Sequence, residues 1–293
     1  MTVIACIGLG HMGLGVATRL LSAGHEVSVY DPAAGSADAL STMGAMHASS
    51  PRDACAGAEA ILVMVRDDDV SRAVWLGDDG VLAGEFEEGA LALECSTLSH
   101  GWVTTWAEAL RQRGLRPIDC PVTGVPDATA AGTLVLNVGA EAGDLERARP
   151  LLDELAEDIL HLGPPGSGTA YKLVANLLAS VQLAGAAEAM AVAAGAGLDL
   201  DRVTQALTKD RMANRLISDN LRRMVDDHHD HDLTFPVSLR QKDTAYGVAL
   251  AKDVGIEAPF ASAALVALEK LQERGWDDLN ESKIFDLFRR QST

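Results

Sequence analysis

Positive charge is what this chain has least of. Its 293 residues carry 24 lysines and arginines against 42 aspartates and glutamates, a net charge of -18. A field of that sign repels nucleic-acid backbones and anionic lipid surfaces, so neither nucleic acid nor a membrane is an expected partner. Lysine is scarcer still, present only at 172, 209, 242, 252, 270 and 283. An anionic ligand must therefore be held by a helix N-terminus or by one of few cations. Cysteine is as sparse: Cys6, Cys55, Cys95 and Cys120 form no CxxC pair. Three of them lie in or at the ends of apolar runs, which reads as reduced core thiols of a cytoplasmic protein rather than metal ligands or disulfides. No basic, cleavable leader precedes the first apolar run at Val3 to Ile7, and the protein is expected to stay where it is made.

What is present is the composition of a globular enzyme, 48% hydrophobic and 23% charged, at a length that fits two domains. The first 160 residues alternate short β-branched runs with amphipathic helical segments. Strands are expected at Val3 to Ile7, Glu26 to Tyr30, Ala60 to Val65, Ala90 to Glu94, Arg116 to Cys120 and Leu134 to Val138, with helices such as His11 to Ala23 and Val103 to Arg113 between them. That alternation means crossover connections and a mostly parallel sheet. After Gly163-Pro164-Pro165-Gly166 only helical periodicity remains, so the boundary is placed there, giving an α/β domain over 1–162 and an all-α domain over 163–293.

Two segments of the second half invite other readings. Leu177 to Leu198 is almost wholly apolar, but Gln182, Glu188 and its small residues suit a helix buried between domains or subunits better than one facing lipid. His228-His229-Asp230-His231-Asp232 has metal-ligand chemistry, yet it sits in a polar stretch that fixes no coordination geometry. A solvated loop is expected, and no metal.

The chemistry starts at Gly8-Leu9-Gly10-His11-Met12-Gly13, which follows the first strand at once and opens a helix. The first glycine permits the tight turn, the second lets the backbone approach a pyrophosphate, and the third lets helix and strand pack closely. A second strand ends at Asp31, about 20 residues on, where a carboxylate accepts hydrogen bonds from ribose hydroxyls and repels a 2'-phosphate. NAD is expected over NADP. The competing role for Asp31 is to cap the turn at Pro32. Further on, Lys172 and Asn176 stand four residues apart on one helix face, where both can reach a substrate hydroxyl or carbonyl oxygen. Hydride transfer needs a group that exchanges the hydroxyl proton, and a lysine can serve. Lys242 is a second candidate, although either lysine taken alone is more simply a surface residue.

Taken in order, these motifs resemble the β-hydroxyacid dehydrogenase family, typified by 3-hydroxyisobutyrate dehydrogenase, over nearly the whole length. Ile7 to Gly13 matches its cofactor motif, Asp119-Cys120-Pro121-Val122-Thr123-Gly124 its substrate motif, with Gly132-Thr133-Leu134 at the family's spacing. Gly166 to Asn176 and Lys242-Asp243 follow. The resemblance implies an N-terminal doubly wound Rossmann domain, an all-helical C-terminal domain for substrate and oligomerisation, and an active site in the cleft between them. By it, Lys172 is the general acid/base, Asn176 orients substrate, and Thr123 and Gly124 hold the carboxylate of a small acid. Gly8, Leu9, Gly10, His11, Met12, Gly13, Asp31, Val65, Arg66, Ser96, Thr97 and Lys242 would serve the cofactor. A homodimer or homotetramer is implied.

Thr123-Gly124-Val125-Pro126 replaces the usual Ser-Gly-Gly with a bulkier, stiffer wall, and Val65-Arg66-Asp67 stands where Leu-Pro is usual. Arg66 is either a contact or a solvated residue. Two other activities of the fold are weighed by single positions: an imine reductase would carry Asp or Tyr in place of Lys172, and a 6-phosphogluconate dehydrogenase would carry Glu at Ala179. An aldehyde-acid reductase of the same superfamily, or a non-catalytic dinucleotide-binding protein with no need of Lys172, Asn176 and Lys242 together, are the remaining alternatives.

Overall fold

The computed structural model describes residues 1–210 and 212–289. Its elements run β1 (Val3–Ile7), α1 (His11–Ser22), β2 (Glu26–Tyr30), α2 (Ala34–Ser41), β3 (Met46–His47), α3 (Pro51–Ala54), β4 (Ala60–Val63), α4 (Asp68–Leu76), β5 (Leu91–Glu94), α5 (His100–Gln112), β6 (Arg116–Asp119), β7 (Val122–Thr123), α6 (Pro126–Ala131), β8 (Leu134–Gly139), α7 (Ala142–Leu155) and β9 (Ala156–Gly163). Only helices follow: α8 (Ser167–Gly195), α9 (Leu200–Lys209), α10 (Arg215–Asp226), α11 (Val237–Asp253), α12 (Pro259–Glu273) and a 3-10 segment, Glu281–Leu287.

The sheet order is β3-β2-β1-β4-β5-β6-β8-β7, with β9 beside β8. From β3 to β6 every pairing is parallel, whereas β8 runs antiparallel to β6 and β7. The order reverses between β1 and β4, and in doubly wound sheets a ligand crevice opens outside the carboxyl ends of the strands at such a point. Period-two alternation explains why both faces are covered. Ile4, Cys6, Leu62 and Leu93 pack with Val16 and Leu20 of α1 and with Leu152 of α7. Their neighbours Ala5, Ile7, Ile61 and Ala92 point the other way, onto Trp75 of α4 and Trp102 and Trp106 of α5. All four cysteines are buried free thiols.

Three strands escape sequence reading: β3, two exposed residues at one end of the sheet order, β7 and β9. β7 is two residues long and lies in what reads as a loop. β9 carries Glu157, Asp158 and His161 and shows no apolar alternation, because it stays largely exposed along the sheet's edge.

The chain divides into compact units at Met1–Lys172 and Leu173–Thr293, beyond the Gly/Pro cluster at which the sequence suggests a boundary. The first turn of α8 belongs to the sheet-bearing unit because it is bonded to the end of β6, as described below. In the helical unit Leu183 and Met190 of α8 pack with Leu221 and Met224 of α10, Leu268 and Leu271 of α12 and Phe285. A buried Arg240–Glu281 pair joins α11 to the 3-10 segment, and Asn220 Nδ2 donates to the same carboxylate at 3.1 Å. By length and composition α8 meets the requirement of a membrane span, with 28% of its most apolar window buried. Val174, Leu178 and Val192 remain exposed. Of the His228 to Asp232 stretch, four residues are exposed as a solvated loop would have them, but His229 is buried at 3% exposure, which corrects the expectation for that one residue.

Candidate active site

The predicted cofactor residues of the sheet-bearing unit, Gly8 to Gly13, Asp31, Val65, Arg66, Ser96 and Thr97, follow the carboxyl ends of β1, β2, β4 and β5. Gly8 follows β1 at φ +88°, and a Cβ there would lie 2.2 Å from the Met64 carbonyl oxygen. A Cβ on Gly13 would lie 2.0 Å from the Gly8 carbonyl oxygen. Both glycines are thus required by the turn and by the close approach of α1 to it. Gly10 differs: a Cβ on it would meet nothing within 4 Å, and its φ of -61° would accept any residue. Among the described residues no side chain caps α1, whereas α4 and α5 are capped by Asp67 and Ser99. Uncapped N–H donors beside open space at an exposed helix start fit a pyrophosphate, so this site suits the dinucleotide.

That fit makes a separable prediction. In Gly10→Ala the loss of N-cap preference and the gain in chain stiffness roughly offset, so Tm should stay within about 2 °C of wild type. Dinucleotide affinity, read by calorimetry, should fall at least about tenfold as the methyl group occupies the phosphate's space. A variant that melted early with unchanged affinity would show Gly10 to be structural.

Asp31 does cap its turn, with Ala33 N donating to Oδ1 at 2.8 Å. It also ties the glycine loop to β2, since Leu9 N donates to Oδ2 at 2.6 Å. Each oxygen retains acceptor capacity for ribose hydroxyls. Val65 follows the end of β4 and its N–H donates to Ser96 Oγ at 2.8 Å, so Ser96 shapes the turn; Thr97 lies beside it. The Arg66 side chain is 79% exposed and pairs with Asp67 at 2.8 Å.

Beyond β6 lies the segment expected from the sequence to bind substrate. Thr123 Oγ1 accepts from Lys172 Nζ at 3.5 Å and from Asn137 Nδ2 at 3.1 Å. Asn137, buried in β8, also donates to the Pro121 carbonyl at 3.0 Å, so it fixes the loop that carries Thr123. Gly124 has φ +153°, and a Cβ there would lie 2.8 Å from Leu134 Cδ2. Lys172 itself is placed by Asp119, which is fully buried at the end of β6. Oδ2 accepts from Gly166 N at 3.0 Å and Thr169 N at 2.9 Å, and Oδ1 from Thr169 Oγ1 at 2.6 Å. Asp119 is therefore a cap for α8 supplied from the sheet, one turn ahead of Lys172. Burial pushes its carboxyl up to about 6, against the lowering effect of those hydrogen bonds.

In the helical unit Asn176 is buried, and its Nδ2 donates to Asp243 Oδ2 at 2.6 Å. Lys242 Nζ lies 2.8 Å from the other oxygen of Asp243 as an ion pair and 5.0 Å from the Tyr246 ring centroid. Asp243 thus holds both predicted polar residues of this unit.

Sequence reading missed Asn137 and Asp119 as positioning groups and the buried Glu94. Glu94 accepts from Ser71 Oγ at 2.7 Å and Trp75 Nε1 at 2.8 Å, and burial raises its carboxyl above the usual range. The available signal was a polar residue inside or closing an apolar strand.

Comparison with known proteins meets this geometry. A family model described as the NAD binding domain of 6-phosphogluconate dehydrogenase matches residues 3–163. Another, described as the NAD-binding of NADP-dependent 3-hydroxyisobutyrate dehydrogenase, matches residues 166–288. An NAD-dependent L-serine dehydrogenase of Pseudomonas aeruginosa is 34% identical over 98% of each chain. This chain belongs to the β-hydroxyacid dehydrogenase family. A 3-hydroxyisobutyrate dehydrogenase of Pseudomonas aeruginosa is 32% identical over 99% of each chain. The solved Mycobacterium tuberculosis 3-hydroxyisobutyrate dehydrogenase with L-serine superposes with a TM-score of 0.88 at 28% identity, covering 99% of this chain and all of that one. As a β-hydroxyacid dehydrogenase the chain is an oxidoreductase that uses NAD(P) on a small hydroxyacid.

Proposed function

We propose that this dehydrogenase interconverts a small 3-hydroxyacid and its aldehyde or keto acid, with NAD preferred and with Lys172 as the general acid/base. The observation that carries the reading is the approach of Lys172 Nζ to Thr123 Oγ1 at 3.5 Å, which sets the lysine nitrogen beside the loop proposed to hold the substrate's carboxylate. Thr123 and Gly124 bind that carboxylate, and Asn176, on the same helix as Lys172, orients the hydroxyl. In oxidation Lys172 takes the hydroxyl proton while the carbinol carbon gives up a hydride; in reduction both steps reverse. The nicotinamide, when bound, supplies the hydride acceptor or donor. Gly8 to Gly13, Val65, Arg66, Ser96, Thr97 and Lys242 serve the cofactor.

Asp31 supports NAD, because a carboxylate at the end of β2 sits where a 2'-phosphate would add like charge. Val125 and Pro126 make this loop bulkier and stiffer than Ser-Gly-Gly, which favours a 3-hydroxyacid other than 3-hydroxyisobutyrate; L-serine, itself a 3-hydroxyacid, is a candidate. The four unpaired cysteines suit the reducing cytoplasm.

The test is NAD(P)H formation at alkaline pH with a panel of 3-hydroxyacids, each assayed with both cofactors. Turnover with at least one acid and a higher kcat/KM for NAD is expected. A clear NADP preference would sink the role given to Asp31, and tight dinucleotide binding without turnover of any acid would favour a non-catalytic binding protein.

A further inference from the structure

Helix α10 ends at Asp226, and Asp227 follows in a left-handed conformation, φ 54°. The turn reverses the chain and carries the next residues back over the 3-10 segment Glu281–Leu287. His229 is consequently 3% exposed, although its neighbours in the sequence are all solvated. Its Nδ1 lies 2.8 Å from Ser282 Oγ, and Asn280 Oδ1 accepts from Ser282 N at 3.0 Å, so the ring's orientation is fixed from behind. The other ring nitrogen, Nε2, is buried with no hydrogen bond among the described residues. It lies 3.3 Å from Asp227 Oδ1, an approach without hydrogen-bond alignment. Asp286 Oδ1 is likewise buried and without a hydrogen bond among the described residues. Its other oxygen takes Lys283 Nζ at 2.5 Å, and Arg289 Nη1 stands 3.9 Å from Oδ1. One ligand atom from each of Asp227, His229 and Asp286 lies within 4.8 Å of the others. Buried polar atoms are ordinarily satisfied, so two unsatisfied ones on residues of one such cluster call for a ligand.

We propose that Asp227, His229 and Asp286 form a binding site for one divalent cation of the zinc class. An imidazole nitrogen with two carboxylate oxygens is a donor set for such an ion, and an imidazole held by a hydroxyl at its far nitrogen is the usual second-shell arrangement of a ligating histidine. The 3.3 Å separation of Nε2 and Asp227 Oδ1 equals the edge of a tetrahedron whose ligand distances are about 2.0–2.1 Å. Any remaining contraction lies in the approach of Asp286, whose side chain closes on the pair as the ion binds. Two carboxylates offset the ion's charge, Lys283 stays on the outer oxygen of Asp286, and Arg289 gives way. Water completes the fourth position from the solvent side. Bound there, the ion pins the turn after α10 to the 3-10 segment, within the helical unit and independently of the dehydrogenase chemistry.

The experiment uses the full chain, stripped with a chelator and then titrated with Zn²⁺ against a chromophoric competitor. One equivalent per chain is expected, with Tm raised by about 5 °C at saturating Zn²⁺. Asp227→Asn, on the surface and so harmless to folding, and Asp286→Asn should each weaken binding at least tenfold and abolish the Tm shift; His229→Gln should remove both. The exposed imidazoles of His228 and His231, with ring centroids 3.6 Å apart, are the adventitious alternative. The double variant His228→Gln/His231→Gln should bind as wild type does. Loss of binding in that double variant with retention in Asp227→Asn, or no bound equivalent in the wild type, overturns the proposal.

Discussion

Lys172→Ala is expected to lower kcat by a factor on the order of 10² to 10⁴, the usual contribution of a positioned proton-transfer group. KM for the hydroxyacid should move far less, because the carboxylate is assigned to Thr123 and Gly124. Folding should hardly notice. Lys172 is half-exposed, and its contact with Thr123 is long at 3.5 Å, so the stability change should stay within about 0.5 kcal/mol. Lys172→Arg should not recover turnover, since a guanidinium does not release its proton at working pH. Steady-state kinetics beside a thermal melt separates the cases: wild-type kcat in the alanine variant would remove Lys172 from the chemistry, and a parallel loss of Tm would make its role structural.

Asp119→Leu is expected to be the most damaging single change for the fold around the site. It strands the Gly166 and Thr169 N–H groups and the Thr169 hydroxyl, all bonded to this one carboxylate. At about 1–3 kcal/mol for each buried orphan, the loss is on the order of 5 kcal/mol, and Tm should fall by roughly 10 °C. Because Thr169 precedes Lys172 by three residues in α8, kcat should drop as well. Asp119→Asn preserves an oxygen for the backbone donors and tests the charge separately. The wild-type carboxyl is raised from an ordinary 3.8 to about 6, so the folded protein binds the extra proton more tightly than the unfolded chain. The stability this contributes is fully present below about pH 4 and is lost as pH rises through about 6. Asp119→Asn should therefore show a flatter dependence of unfolding free energy between pH 4 and pH 6, read by urea titration. An unchanged slope would mean that another group carries it.

The parts of this protein legible in the sequence are those governed by local periodicity and by chemistry confined to a few consecutive residues. β1, β4 and β5 show as apolar runs because they are buried on both faces, and the glycine loop shows because Gly8 and Gly13 answer steric demands of the turn while Gly10 leaves space for a ligand. β9 does not show, since an exposed edge strand is under no pressure to alternate. Lys172 is visible in its motif, but what places it is a carboxylate 53 positions earlier, at Asp119, and the Thr123 hydroxyl it approaches is held by Asn137.

His229 gives the same lesson from the other side. In sequence it is one polar residue among five, and only the left-handed turn at Asp227 buries it against Ser282 and beside Asp286. The sequence by itself determined the fold class, the dinucleotide loop and the lysine, because each is written in neighbouring residues. Tertiary structure alone decided which polar groups meet across 50 or more positions, because burial, and the hydrogen bonds it makes obligatory, depend on what the folded chain brings alongside.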